Sequence, residues 1–210
     1  MAKLQDISNA IETGKLKKIE GIVQEVLDAG SQPKEILDCM VETMGTVGEK
    51  FQRNEIFVPE MLVAALTMKK GVGVLQPLLV AGDTVSLGKC IIGTVAGDLH
   101  DIGKNLVALM IESAGFEVID LGVDVPAEKF VEAVKANPDC KIVGVSALLT
   151  TTMEAMKTTV EALDAAGLKS QVKIMVGGAP ITPEFAAEIG ADAYTSDAGS
   201  AAAKAKEFVA

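Results

Sequence analysis

The order of apolar and polar residues divides the chain into two parts that have different periods. From residue 4 to about residue 79, apolar residues recur at intervals of three and four, which is the spacing of amphipathic helices. Pro33 and Pro59 stand where two of these helices begin, and Gly30 stands where one ends. The first part therefore predicts a small N-terminal helical bundle of about four helices, in which residues 4–11 carry the weakest pattern.

After a stretch without helical spacing at residues 80–88, short apolar runs alternate with amphipathic segments. The runs predict five strands, at residues 89–96, 117–120, 141–146, 173–176 and 191–194. The remaining segments predict five helices, at residues 102–114, 127–136, 152–166, 183–189 and 199–208. Continuously apolar strands alternating with helices predict an α/β fold, a flavodoxin-like or Rossmann-like doubly wound five-stranded parallel sheet. We therefore expect a helical domain at residues 1–84 and a sheet domain at residues 85–210.

Charge and composition narrow the classes of partner. The net charge is −10, and the 19 basic side chains are spread over both parts, so the chain lacks the basic cluster that a nucleic-acid backbone requires. No apolar run approaches the roughly 20 residues of a membrane helix, and the start of the chain lacks the apolar core of a signal peptide. We therefore expect a cytoplasmic protein without nucleic-acid or membrane partners. The three cysteines are far apart, which predicts buried thiols rather than disulfides.

The loop after the first predicted strand contains most of the candidate chemistry. It runs from Gly97 to Gly103 and includes Asp98, Asp101 and His100, the only histidine in the chain. In an open parallel sheet, ligands bind beyond the carboxyl ends of the strands, where the winding reverses. For a strand order of 2-1-3-4-5, that point lies between the first and third strands. The two glycines are expected to let this loop turn sharply.

Asp98 and His100 are two residues apart, so their side chains can project together from an extended loop. Asp98 can then hold one imidazole N–H and leave the other nitrogen oriented toward a metal. A single histidine in such a loop is more often a solvated or capping residue, and one histidine with scattered cysteines cannot complete a zinc site. The glycine spacing matches neither a Walker loop nor a GxGxxG fingerprint. One histidine is nevertheless sufficient for a metal that arrives bound in a macrocycle.

Two further loops open on the same edge of the predicted sheet. The loop after the third strand places hydroxyl groups around two leucines, in the order Ser146, Leu148, Leu149, Thr150, Thr151 and Thr152. These hydroxyls are suited to bonding a heteroaromatic nitrogen or an amide, although threonines at this place commonly cap the next helix. The loop after the fourth strand contains Gly177 and Gly178, which form either a simple turn or room for a flat group to pass close to the backbone.

Taken together, the three loops resemble the cobalamin-binding domain. The matching motifs, in order, are Asp98-x-His100-x-x-Gly103, Ser146-x-Leu148 and Gly177-Gly178. The helical part resembles the cap domain of the same family, notably at Phe57-Val58-Pro59-Glu60-Met61. The resemblance extends over about residues 16–208. It is to the small corrinoid proteins of anaerobic methyl-transfer systems and to the equivalent region of cobalamin-dependent methionine synthase.

The resemblance implies a role for each of these residues. His100 would be the metal ligand, binding cobalt in place of the cofactor's own lower base, and Asp98 would accept its hydrogen bond. Thr152 stands where methionine synthases have a serine, which completes the chain of hydrogen bonds that begins at the histidine and its aspartate. Further residues would contact a cobalamin or related corrinoid, namely Asp101, Ile102, Gly103, Ser146, Leu148, Thr150, Gly177 and Gly178. Phe51 and Val58 match the pair that shields the upper face of the corrin, although both also fit the core stripe of a helical bundle.

The implied function is that of a methyl carrier. A substrate-specific methyltransferase would load the methyl group onto cobalt, with methylcobalamin as the intermediate, and a second methyltransferase would pass it to tetrahydrofolate or a thiol. A reductive activation protein is an expected third partner. The chain is too short to include a methyltransferase domain, so we expect a carrier subunit that does not turn over alone.

Three other interpretations remain open. The chain could be the cobalamin-binding subunit of an adenosylcobalamin-dependent mutase, a cobalamin sensor, or a flavodoxin-like domain that binds no corrinoid. The sequence also leaves the methyl donor open among methanol, methylamines, betaine and aryl methyl ethers.

Overall fold

The computed structural model of the protein describes residues 3–79 and 86–210. The chain divides into two compact units, Met1–Val85 with Ser113–Gly115, and Ser86–Glu112 with Phe116–Ala210. The predicted domain boundary between residues 84 and 85 lies outside the described residues.

The helical unit contains the predicted bundle. Its helices are α1 (Leu4–Glu12), α2 (Ile19–Asp28), α3 (Pro33–Gln52) and α4 (Val58–Leu75), and a 3-10 turn follows at Gln76–Leu78. The apolar stripes of these helices are buried, with representatives at Ile7, Val23, Met40, Met61 and Leu75. Burial of one apolar face per helix explains why the weak pattern at residues 4–11 still forms a helix.

The second unit contains one five-stranded sheet. Its strands are β1 (Lys89–Thr94), β2 (Glu117–Asp120), β3 (Cys140–Ser146), β4 (Lys173–Gly177) and β5 (Ala193–Tyr194). All neighbouring strands are parallel, and their order is β2-β1-β3-β4-β5. This confirms the predicted doubly wound parallel sheet, and the observed order is the one assumed above in placing the switch point. β1 ends two residues before the predicted end because the chain begins a tight turn at Val95, whose carbonyl accepts the N–H of Asp98.

The helices of this unit agree closely with the predicted ones. They are α5 (Ile102–Ser113), α6 (Ala127–Ala136), α7 (Met153–Ala165), α8 (Pro183–Glu188) and α9 (Ala198–Val209). A 3-10 turn at Thr150–Thr152 precedes α7, so Thr152 belongs to this turn rather than to the helix.

Both faces of the sheet are covered. On one face, strand residues such as Val143 and Ile174 pack in one core with Phe130 of α6 and Val160 of α7. The strand residues that alternate with them are equally buried, including Cys90, Ile92, Ile142 and Met175. Burial on both sides is the reason that the strands are continuously apolar in sequence.

The ends of three strands lie level with one another, and this places the loops of interest together. Thr94 of β1 pairs with Ser146 of β3, which in turn pairs with Gly177 of β4. The loops that follow these three residues therefore leave the same edge of the sheet. That edge includes the point between β1 and β3 where the winding reverses.

The cysteines are free thiols, as expected, but they are not all fully buried. Cys90 and Cys140 are buried, and burial raises the pKa of both thiols. Cys39 is half-buried.

Within the two described ranges, no helix combines the length and the apolar character needed to cross a membrane.

Candidate functional site

The loop after β1 begins with a tight turn. The backbone N–H of Asp98 donates to the carbonyl of Val95 at 3.2 Å, and Gly97 has a φ of 80°. A positive φ at the third position of such a turn favours glycine. The expected sharp turn is therefore found at Gly97. It is not found at Gly103, which is the second residue of α5 and has no positive φ.

One oxygen of Asp98 binds His100 twice. Oδ1 of Asp98 lies 2.7 Å from Nδ1 of His100 and accepts the backbone N–H of His100 at 3.1 Å. Asp98 is completely buried, whereas the His100 side chain is 51% exposed. The buried carboxylate thus fixes both the backbone and the ring of a solvent-facing histidine.

The other oxygen of Asp98 binds the loop after β3. Oδ2 accepts the backbone N–H groups of Leu148 at 2.7 Å and Leu149 at 3.3 Å. It also accepts the hydroxyl of the buried Thr152 at 2.8 Å, and that hydroxyl lies 2.9 Å from the Leu149 carbonyl. Asp98 therefore joins the two loops at the switch point of the sheet.

These hydrogen bonds determine the charge of Asp98. Burial by itself would raise the pKa of Asp98, because a low-dielectric environment disfavours a carboxylate. The hydrogen bonds from Leu148, His100 and Thr152 outweigh burial and hold the pKa of Asp98 well below its usual range. An ionised carboxylate only accepts, so neutral His100 carries its proton on Nδ1 and its free lone pair on Nε2.

Exposed apolar side chains accompany His100. Leu99 is 73% exposed and Ile102 is 84% exposed, and Leu148 and Leu149 are each 41% exposed. We call these four residues the apolar rim. Large apolar side chains exposed in the same two loops as a fixed polar group are typical of a ligand site.

The glycine pair after β4 has a reason within the chain itself. A Cβ on Gly178 would lie 1.8 Å from the carbonyl oxygen of Ala147, and Gly178 has a φ of 133°. A Cβ on Gly177 would lie 3.0 Å from the carbonyl oxygen of Thr195. Gly178 therefore allows β4 to continue close beside the loop after β3, whether or not a ligand is present.

Gly103 differs from this pair. A Cβ built on Gly103 would have no atom of the described chain within 4 Å, apart from the two adjacent residues and the backbone of α5 itself. Nothing in these parts of the fold requires a glycine there, and glycine is unfavourable in a helix. Glycine at this position therefore makes the helix less stable than alanine would, and it leaves open space beside α5.

Three other candidate residues contribute less to the geometry. Asp101 is exposed, and its carboxylate accepts the side-chain amide of Asn105 at 3.1 Å. Thr150 is exposed at the start of the 3-10 turn. Ser146 is half-buried at the end of β3, where its carbonyl accepts the N–H of Val95. These three residues share the edge of His100 but not its hydrogen-bond network.

Phe51 and Val58 belong to the helical unit. Phe51 is half-buried near the end of α3, and Val58 is 45% exposed as the first residue of α4. The exposure of Val58 argues against the alternative that it is ordinary bundle core. Their shielding role remains a prediction.

The structure adds residues that the sequence did not indicate. The buried Thr94 donates its hydroxyl to the carbonyl of His100 at 2.9 Å. The buried Lys104 places Nζ 2.6 Å from Oδ2 of Asp120, which ties the start of α5 to the end of β2. Neither pair has a spacing that would predict the contact from the sequence. Leu99 was detectable as an apolar residue in a polar loop.

The donor set fits a metal that brings its own ligands. Among residues 3–79 and 86–210, no group of three or more His, Cys, Asp or Glu side chains could hold a bare ion. The site offers instead one oriented imidazole nitrogen, the apolar rim and the open space beside Gly103. A corrinoid would take one nitrogen ligand from the protein, and its ring and tail would lie against apolar and open surface. The residues therefore fit this cofactor.

Fold and site together define a doubly wound cofactor-binding domain that presents one histidine at its switch point. Comparison with known families identifies the cofactor. Residues 88–205 match the B12 binding domain, and residues 3–76 match a second family that is also described as a B12 binding domain. The chain belongs to the cobalamin-binding corrinoid proteins, and cobalamin or a related corrinoid is its cofactor.

Individual relatives support the same conclusion over nearly the whole chain. This chain is 43% identical over 209 residues to dimethylamine corrinoid protein 2 of Methanosarcina acetivorans, and the match covers 98% of this chain and 95% of the relative. It is 46% identical over 190 residues to the trimethylamine corrinoid protein of Methanosarcina barkeri, and that match covers 89% of this chain and 87% of the relative. A chain in the crystal structure of the methanol:cobalamin methyltransferase complex of M. barkeri matches with a TM-score of 0.87 and 28% identity, over 98% of this chain and 79% of that one.

Proposed function

We propose that this protein carries a methyl group between a substrate-specific methyltransferase and a second methyltransferase. When bound, the corrinoid supplies a cobalt ion that accepts and releases the methyl group. The observation that supports this role most directly is the 2.7 Å contact between Asp98 and Nδ1 of a histidine that is otherwise half exposed. It leaves a single oriented nitrogen available as the lower ligand of cobalt.

The proposed role of Asp98 is to hold a proton at Nδ1 of His100. With the proton fixed there, Nε2 keeps its lone pair directed away from Asp98 and toward the ligand. Two backbone N–H groups and the Thr152 hydroxyl hold the carboxylate in turn. Thr152 would fill the place of the serine in methionine synthases, and its extra methyl group lies 3.6 Å from a Cβ built on Gly97.

The remaining candidate residues would bind the body and tail of the cofactor. The apolar rim offers surface for the corrin edge. The open space beside Gly103 would admit the nucleotide tail, together with Ser146, Gly177 and Gly178 at the ends of the neighbouring strands. Asp101 and Thr150 would contact polar groups of the cofactor from the solvent side. Phe51 and Val58 would shield the upper face of the corrin.

The partners in this proposal follow from the relatives. A chain of similar fold occurs in a methanol:cobalamin methyltransferase complex, so a substrate methyltransferase is the first partner. The second methyltransferase would use tetrahydrofolate or a thiol, and a reductive activation protein would restore the cobalt after oxidation. A cytoplasmic location is part of the proposal and rests on the sequence.

A methylated amine is the donor that we propose. The two relatives with 43% and 46% identity are named for dimethylamine and trimethylamine, whereas the chain from the methanol system has 28% identity. The donor itself would bind to the partner methyltransferase. Each purified methyltransferase with its own amine would therefore be tested with this protein as the methyl acceptor.

The first experiment tests corrinoid binding and ligation. The apoprotein is mixed with hydroxocobalamin and desalted, and the visible spectrum is recorded. We expect retained corrin absorption in the wild type and retained but shifted bands in His100→Ala, because most contacts with the cofactor lie elsewhere. The exposed α7 residue Asp164 provides a control, since Asp164→Ala should keep the wild-type spectrum. An unchanged spectrum in His100→Ala would refute ligation by His100.

The second experiment separates a carrier from a mutase subunit. The reconstituted and reduced protein is incubated with a cognate methyltransferase and isotopically labelled methylamine. Label that stays with the protein and is released to an acceptor by a second methyltransferase supports the carrier. Binding of adenosylcobalamin with carbon-skeleton rearrangement, and no label retained, would refute it.

A further inference from the structure

The connection between β2 and α6 runs alongside the end of β1. The backbone N–H of Thr94 donates to the carbonyl of Gly122 at 3.0 Å, and the N–H of Val125 donates to the carbonyl of Thr94 at 2.9 Å. A parallel bridge between Val95 and Val125 continues this pairing. Residues 122–125 therefore lie directly beside the turn that leads to His100.

Within this segment, Asp124 binds the turn in two ways. Its Oδ1 accepts the backbone N–H of Gly97 at 2.7 Å, and its own backbone N–H donates to the carbonyl of Asp98 at 3.0 Å. Asp124 has a φ of 54°, in the left-handed region that aspartate and asparagine tolerate better than other non-glycine residues. The side chain and the backbone of one residue thus hold two successive residues of the turn.

These contacts complete the support of Asp98. Its carboxylate is held by the loop after β3, through Leu148 and Thr152. Its backbone is held by Asp124, on the β2 side of β1. The distance from Oδ1 of Asp98 to Nδ1 of His100 depends on both, because a shift of the Asp98 backbone would move the carboxylate away from its donors.

We propose that Asp124 is a positioning residue that sets the orientation of His100 through Gly97 and Asp98. This inference rests on the proposed ligation of cobalt by His100. Asp124 is exposed and contributes no side chain to the core, so its carboxylate is not needed to fill the fold. Its contribution is to fix the turn before His100, and thereby to favour the orientation in which the imidazole binds cobalt.

The test measures how firmly His100 holds cobalt. Protein loaded with hydroxocobalamin is titrated with potassium cyanide, which competes for the axial positions of cobalt, and the visible bands report displacement of His100. Loss of one solvent-accessible hydrogen bond should lower the half-displacement concentration by about three- to tenfold in Asp124→Ala. Thermal unfolding of the apoproteins is recorded in parallel.

Three further variants isolate the cause. Asp124→Gly removes the acceptor but accommodates the left-handed backbone, so it should show the same drop as Asp124→Ala. Asp124→Asn keeps an acceptor oxygen and the backbone preference, so it should restore the wild-type value. Asp164→Ala removes an exposed carboxylate from α7 and should behave as wild type.

Each alternative result has a definite meaning. Wild-type cyanide titrations in both Asp124→Ala and Asp124→Gly would overturn the inference. A change in Asp124→Ala alone would also overturn it, because backbone strain would then be the cause. A wild-type protein that retains no corrinoid, or an unshifted spectrum in His100→Ala, would instead refute the proposed function.

Discussion

Gly103→Ala is the substitution that best separates the requirements of the fold from those of the cofactor. Gly103 is the second residue of α5, without a positive φ, and the described chain leaves open space where a Cβ would lie. In the interior of a helix, alanine is favoured over glycine by about 0.5–1 kcal/mol, and this value is an upper bound for Gly103 because it lies in the first turn of α5. The apoprotein of Gly103→Ala should therefore be more stable than the wild type by up to this amount.

The effect on the cofactor should have the opposite sign. If the tail of the corrinoid passes beside Gly103, the added methyl group enters occupied space in the complex. Overpacking of this kind costs about 1–3 kcal/mol, which corresponds to binding weakened by about 5- to 150-fold. The combination of a stabilised apoprotein and weakened binding is expected only where a ligand, not the fold, requires the glycine.

The assay pairs urea unfolding of the apoprotein with equilibrium binding of hydroxocobalamin. Gly178→Ala is the matched control, because its Cβ would lie 1.8 Å from the Ala147 carbonyl oxygen. That variant should lose stability before any cofactor is added. Unchanged hydroxocobalamin affinity in Gly103→Ala would refute the placement of the tail beside α5.

Substitutions at three further positions, Thr152, Lys104 and Asp197, test individual polar contacts by urea unfolding of the apoprotein. Thr152→Ala should lower the free energy of unfolding by about 1 kcal/mol because Asp98 loses a donor, and Thr152→Ser should retain most of it; equal losses would show that the methyl group matters and the hydroxyl does not. Lys104→Met should lower the free energy of unfolding by about 1–2 kcal/mol, a value kept small because Asp120 is 39% exposed and solvent weakens the ion pair. An unchanged free energy of unfolding would mean that the cost of desolvating Lys104 cancels the gain from the ion pair. Asp197 caps α9 by accepting the N–H of Ser200 at 2.8 Å, so Asp197→Ala should cost about 1 kcal/mol at neutral pH. Burial opposes ionisation of Asp197 but its hydrogen bonds lower its pKa, so this difference should shrink as the pH falls below about 4, and a constant difference down to pH 2 would contradict that origin.

The secondary structure could be predicted almost completely from the sequence. Each predicted strand and helix of the sheet unit is present, and the ends differ by one or two residues, as at the end of β1. The reason is local: continuous apolar runs, helical spacing and positions such as Pro33 and Gly30 each act within a few residues. The strand order was assumed rather than predicted, as one of the few arrangements that doubly wound sheets permit, and the structure has that order.

The site was predictable only in part. Asp98 and His100 are neighbours in sequence, so their contact could be expected from spacing alone. The expected turn at Gly103 was wrong. A glycine shows only that the position has no side chain, and the sequence does not reveal whether the backbone conformation or a ligand requires this. Gly178 shows the other case, where a carbonyl oxygen of the chain itself occupies the space.

The sequence by itself determined the order of elements, the edge of the sheet at which a ligand is expected and the identity of the candidate histidine. Only the tertiary structure decided what holds that histidine. The carboxylate of Asp98 binds Leu148 and Thr152, fifty or more positions away, and its backbone binds Asp124. Hydrogen bonds between distant segments depend on which strands are neighbours and where they end. They therefore have no period or spacing that a sequence could reveal.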